Sequence, residues 1–138
     1  MIELKHQVSN LELSIKLRDL GVNQTSMYMW AEDIMINPAL KLKKDIRIYH
    51  ESHGQFAHLK RIASAYTVAE LGEMLPDCYD HNGDITLNIS KEYNTGKYIW
   101  YIDYGEDCSI IKETKDITEA NARAKMLIWL IENNKVKI

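Results

Sequence analysis

Apolar and polar residues alternate most cleanly in the middle of the chain. Ile85, Leu87 and Ile89 are interleaved with Thr86, Asn88 and Ser90, the period-two pattern of a strand with one face buried. A second run, Tyr98–Tyr104, is dense in aromatic and β-branched residues, which suit a pleated, half-buried surface. Asn94-Thr95-Gly96 lies between them and offers a glycine for positive φ, so the two runs are expected to pair as a hairpin. Met27–Trp30 and Ile46–Tyr49 read as weaker strands, and Ser109–Ile111 as a short edge. Glu51–His58 reads as a loop.

Helical periodicity is clearest near the end. Ala120, Ala124, Leu127, Ile128 and Ile131 fall on one stripe, and Thr118 stands where an N-cap is needed, so a helix is expected over Glu119–Asn133. Thr67 and Glu70 have capping-box spacing, with Tyr66 and Leu71 as the staple; that helix should run to about Leu75 and stop at Pro76. Ser9 and Glu12 repeat the device with Val8 and Leu13, and Gly21 offers the left-handed stop. Asn10–Leu20 is therefore read as a helix, although Leu11, Leu13, Ile15 and Leu17 also alternate as in a strand. The resulting order is helix, strand, strand, helix, hairpin, helix. It implies an α+β fold: one domain over residues 1–138, with an antiparallel sheet centred on an 85–104 hairpin and about three helices packed on one face.

Composition changes this picture little. The 138 residues are 46% hydrophobic and 27% charged, with net charge -3, close to the globular average and large enough for a core without disulfides. The charge is unevenly spread, with six bases against two acids over residues 41–69 and eleven acids against four bases over residues 70–116. No run approaches the ~20 apolar residues of a membrane span. Met1–Asn10 mixes Glu3, Lys5 and His6 with apolar residues, unlike a secretory leader. Cys78 and Cys108 lack a C-x-x-C spacing and are expected to be free thiols in a cytoplasmic protein.

Three stretches, LELSIKLRDLGVNQTSMYMW over Leu11–Trp30, AYTVAELGEMLP over Ala65–Pro76 and EANARAKMLIWLIEN over Glu119–Asn133, together resemble a group of small phage- and prophage-encoded proteins of unknown function. The resemblance implies a phage genome and a bacterial cytoplasm as the setting. It carries over no functional residue.

The candidate chemistry is sparse. His50-Glu51-Ser52-His53, followed by His58, is one residue short of H-E-x-x-H, whose i, i+4 spacing sets two imidazoles on one helix face. His50 and His53 are three apart and Gly54 follows, so His50, His53 and His58 are metal-ligand candidates, but neither a metal nor a cofactor is expected. Asp80, Asn82 and Asp84 open like a calcium loop, which then fails at Ile85 and Lys91, so the segment is read as a turn. Lys41, Lys43, Lys44, Arg47, Lys60 and Arg61, with Tyr49 among them, could track a phosphate backbone. Trp129 lies opposite the main stripe of the last helix, with Ala122 and Met126 on its face. A second apolar face on a helix of so small a chain points to an interface, so Ala122, Met126 and Trp129 are the interface candidates and a homo-oligomer is expected. The function expected is that of a non-catalytic phage accessory protein acting through contacts with itself or with another phage or host protein. The alternatives are a nucleic-acid binder using the 41–61 segment and a metal-dependent enzyme using the 50–58 histidines.

Overall fold

A computed structural model describes residues 3–34, 45–80 and 84–138. The described elements are helices α1 (Leu11–Asp19), α2 (Val68–Met74) and α3 (Glu119–Glu132), and strands β1 (Tyr28–Asp33), β2 (Ile46–His50), β3 (Leu59–Ser64), β4 (Thr86–Asn94), β5 (Lys97–Glu106) and β6 (Ser109–Asp116). Both sheets are antiparallel and three-stranded, ordered β2-β1-β3 and β4-β5-β6. The fold is therefore α+β as expected, with two sheets in place of one. Strand β3, absent from the sequence reading, completes the first sheet against β1.

The second sheet is a meander of two tight hairpins. Asn94 pairs with Lys97 across a two-residue turn in which Thr95 and Gly96 have φ of 47° and 86°. Glu106 pairs with Ser109 across Asp107 and Cys108, with φ of 44° and 67°. Two successive positive φ values give the turn hand that matches strand twist. β6 runs well past the expected short edge, because its residues as far as Asp116 still find partners on β5, with Ile111 alone left out at a bulge opposite Tyr104 and Gly105.

α3 is the centre of the molecule. It packs on β5 and β6 on one side and on α1 and α2 on the other. Ala120, Ala122 and Ala124 let these layers approach closely, while Met126, Leu127 and Leu130 fill the space between them. Thr118 caps it by accepting from Asn121 N–H at 3.2 Å. In α2 the expected capping box is complete: Thr67 Oγ1 accepts from Glu70 N–H, and Glu70 Oε2 accepts from Thr67 N–H.

The first helix departs from its expected start. Asn10, not Ser9, is the N-cap, its Oδ1 accepting from Leu13 N–H at 2.9 Å. Ser9 is fully buried. Its Oγ accepts from Tyr66 N–H at 3.1 Å and lies 2.7 Å from Ser14 Oγ, while Val8 bridges Thr67. The tie to residues 66–67 holds Ser9 extended, so the helix begins one residue later. Glu51–Gln55, expected as loop, is a short 3-10 helix between β2 and β3.

The interface expectation for the last helix is corrected in two of its three residues. Ala122 and Met126 have no exposed surface. Trp129 is half-buried, with the Tyr79 ring centroid 6.4 Å away and Lys112 Nζ 5.9 Å from its own. The second apolar face is answered inside the chain, since α3 lies between a sheet and a helix pair and needs two apolar faces.

Candidate binding cleft

The loop from β6 into α3 carries the most unusual exposed residue. Ile117 immediately precedes the Thr118 cap, where an apolar residue ordinarily packs on the fourth helical position. That position is Ala122, which is covered by β6: Thr114 Oγ1 donates to Ala122 O at 2.8 Å. Ile117 therefore stands out from the surface, 59% exposed, between two hollows.

One hollow, of about 620 Å³, has Trp30 and Ile99 as apolar walls and Lys5, Lys115 and Lys125 around it. The other, of about 330 Å³, has Trp100 and Val68 as apolar walls and Lys91 also lining it. His6, Ile117 and Thr118 line both, so the two hollows adjoin at these residues and are treated together as a cleft around Ile117. Volumes of this order suit small-molecule or side-chain binding.

The floor is a polar network tied to three parts of the chain. Asn10 N–H donates to Asn121 Oδ1 at 2.9 Å. Asp116 Oδ1 accepts from Thr118 N–H at 3.2 Å and from Asn121 Nδ2 at 3.4 Å. Asp116 Oδ2 is 2.8 Å from Lys125 Nζ, which also donates to Lys115 O at 3.0 Å. Burial alone would raise the Asp116 pKa. The hydrogen bonds from Lys125 and Thr118 outweigh it and hold the carboxyl below its ordinary range. Trp30 is fixed on the wall by its indole N–H, which donates to Ser9 O at 3.0 Å.

From Trp100 the apolar surface continues along the hairpin. Tyr98 and Tyr93 are an exposed cross-strand pair with ring centroids 5.2 Å apart. Lys91 Nζ lies 4.5 Å from the Tyr98 centroid and 5.2 Å from that of Trp100, a cation held over two aromatic faces.

The histidines lie elsewhere, beside the first sheet. His53 and His58 stack on opposite sides of Phe56 in sequence, at centroid distances of 5.6 and 5.7 Å. His50 Nδ1 accepts from Ser52 N–H at 3.1 Å, capping the 3-10 helix, and its ring meets Tyr28 edge-on. The three are thus drawn to aromatic rings and backbone. Among the described residues no three His, Cys, Asp or Glu side chains converge as a metal-holding group.

Of the basic segment, Lys41, Lys43 and Lys44 lie outside the described residues. Arg47 Nε meets Asp45 Oδ1 at 2.8 Å. Arg61 is a structural clamp: it meets Glu51 Oε1 at 2.6 Å and donates to Gln24 O and Ser64 Oγ. Of the turn residues Asp80, Asn82 and Asp84, Asn82 lies outside the described residues, and Asp80 Oδ1 accepts from Asp84 N–H at 2.7 Å. Cys78 and Cys108 are exposed free thiols. No described helix is long and apolar enough to cross a membrane.

Sequence reasoning missed the cleft because its lining comes from five separated segments. The signal available locally was Ile117, an apolar residue at the staple position with only alanine to meet. No protein-family model matches the chain, and comparison with curated proteins and with solved structures gave no match.

Proposed function

We propose that this chain is a non-catalytic accessory protein that works by binding another protein, with the cleft around Ile117 as its contact surface. The observation that carries the reading is Ile117 itself: an exposed aliphatic side chain between two hollows, each walled by a half-buried tryptophan. Tryptophan and tyrosine supply a disproportionate share of binding energy where they surround a pocket. Exposed Tyr93, Tyr98 and Ile89 extend the apolar surface along the hairpin, and contiguous apolar surface of this kind marks interaction sites. The floor network ties Asn10, Asn121, Asp116 and Lys125 together, so little order needs to be imposed on binding. The resemblance to small phage- and prophage-encoded proteins supplies the setting we propose, with a phage or host protein as partner.

The test is a photo-crosslinking amino acid at position 117, with position 133 at the far end of α3 as control. A discrete protein adduct is expected from 117 alone and should disappear when Trp100→Ala is added. Adducts to nucleic acid, or equal adducts from both positions, would refute the reading.

A further inference from the structure

We infer that the cleft takes an extended acidic segment of its partner, with one apolar side chain seated on each side of Ile117; this rests on the reading of the cleft as a protein-binding surface. Electrostatics choose the sign. The chain is acidic overall, with net charge -3, yet the charged groups facing outward at the cleft are Lys5, Lys91 and Lys115. The acids that line it are already engaged: Asp116 meets Lys125 at 2.8 Å and Glu119 meets Arg123 at 2.6 Å. Lys5 also meets Glu3 at 2.8 Å, but both side chains are more than half exposed, and such a pair holds its cation loosely. Cations gathered in an otherwise acidic protein attract and orient a negative partner, chiefly by speeding encounter and rejecting wrong partners.

Shape chooses the form. Two hollows that adjoin at Ile117 suit an extended chain, whose alternate side chains project to the same face roughly 7 Å apart. Their walls are Trp30 and Ile99 on one side, Trp100 and Val68 on the other, so the projecting groups are apolar and the acids lie between and beside them. A nucleic acid fits less well. It would want a row of free cations along its backbone, whereas here Lys125 is already paired with Asp116, Lys91 lies over the Tyr98 and Trp100 rings, and the Trp30 N–H is already donated to Ser9 O.

A random-peptide display selection against the intact protein tests this. The expected result is enrichment of peptides with Asp and Glu around two spaced apolar residues. Binding of the best such peptide, synthesised and titrated by tryptophan fluorescence, should weaken by at least about tenfold in a Lys5→Glu/Lys115→Glu variant with unchanged circular dichroism. It should be lost in Ile117→Asp. Enriched peptides that are neutral or basic, yet still lost in Ile117→Asp, would overturn the acidic preference and leave the protein-binding reading standing. No enrichment that depends on Ile117 would end both. Competition by oligodeoxythymidylate, with the same dependence on Ile117, would assign the cleft to nucleic acid and overturn the inference. So would self-association in sedimentation that Ile117→Asp abolishes, which would make a second copy the occupant.

Discussion

The two sheets have the same strand count and the same antiparallel sense but are held by different forces. The second sheet lies on α3 and is held by apolar contact: Ile102 and Tyr104 of β5 have no exposed surface and share one core with Met126, Leu127 and Leu130. The first sheet buries Met29, Ala31 and Ala63, but it is also tied to the segments around it by a set of polar side chains. Gln24 Oε1 accepts from Ser64 N–H at 2.7 Å, and Ser26 Oγ lies 2.8 Å from both Ala65 O and Glu70 Oε2. Glu70 Oε1 accepts from Met27 N–H at 3.0 Å, and Arg61 donates to Gln24 O at 2.8 Å. The contrast teaches which perturbations each half should feel: lost volume for one, lost partners and protonation for the other.

The largest effect is expected where the apolar half is densest. Met126→Ala removes a fully buried side chain between α3 and the second sheet and should cost about 2–5 kcal/mol of stability by denaturant unfolding. A cost near zero would mean that the α3 packing described above is wrong.

Next comes the polar half. Glu70 serves both the α2 cap and the first sheet, and Glu70→Gln should cost about 1–3 kcal/mol. Burial would raise the Glu70 pKa, but hydrogen bonds from Thr67, Met27 and Ser26 dominate together and lower it from 4.5. A carboxyl with a depressed folded pKa stabilises above its unfolded value and loses that contribution as pH falls through the folded one. Stability should therefore drop as pH falls below 4.5, and Asp116, lowered from 3.8, should add to the drop below that value. Denaturation midpoints measured across this range should fall less steeply in Glu70→Gln than in the parent. Equal slopes would remove Glu70 from the account.

A loss of similar size is expected at the bulge between Tyr104 and Gly105. A Cβ on Gly105 would lie 2.6 Å from Ser109 O, a backbone atom. Gly105→Ala must therefore shift β5 or β6 and should cost about 1–3 kcal/mol. A melting temperature unchanged from the parent would show that the strands do not approach so closely.

The smallest effects are gains. Thr95 and Cys108 occupy left-handed positions of the two hairpin turns, which ordinary side chains tolerate poorly. Thr95→Asn and Cys108→Gly should each raise stability by about 0.5–1 kcal/mol, read as higher unfolding midpoints. Losses at both positions would argue for a different turn geometry.

The same contrast explains what was legible in the sequence. The elements read correctly are those whose signals are local: the Thr67–Glu70 box, the Thr118 cap, and the alternation around Asn94–Gly96 that defines the second sheet's hairpin. β3 was missed because Leu59-Lys60-Arg61-Ile62 has two adjacent bases where alternation is sought. Its pairing depends on β1, and its Arg61 is occupied by Gln24 and Glu51. Ser9 has the spacing of a cap and the environment of a buried link, and only Tyr66, distant in sequence, decides between them. The cleft was illegible for a related reason. Trp30 and Trp100 each read as ordinary strand residues, and Ile117 drew no reading at all, until the fold sets them around one site. Ala122 and Met126 were misassigned because periodicity reveals that a helix has two apolar faces but not what covers each.

The link between Asn10 and Asn121 has a consequence for how the chain reaches this structure. It joins residues 111 apart in sequence, while β4, β5 and β6 meet through turns that bring Asn94 to Lys97 and Glu106 to Ser109. Closing a long loop costs more chain entropy than closing a short one, and topologies rich in distant contacts form more slowly. The meander is therefore the natural nucleus, and the N-terminal helix docks late, completing the cleft only when the rest of the molecule is in place. Pulse-labelled hydrogen exchange should show amides of β5 protected before that of Asn10. The capacity to bind would then report on the completeness of folding, because a chain whose N-terminal segment has not docked has no floor beneath Ile117.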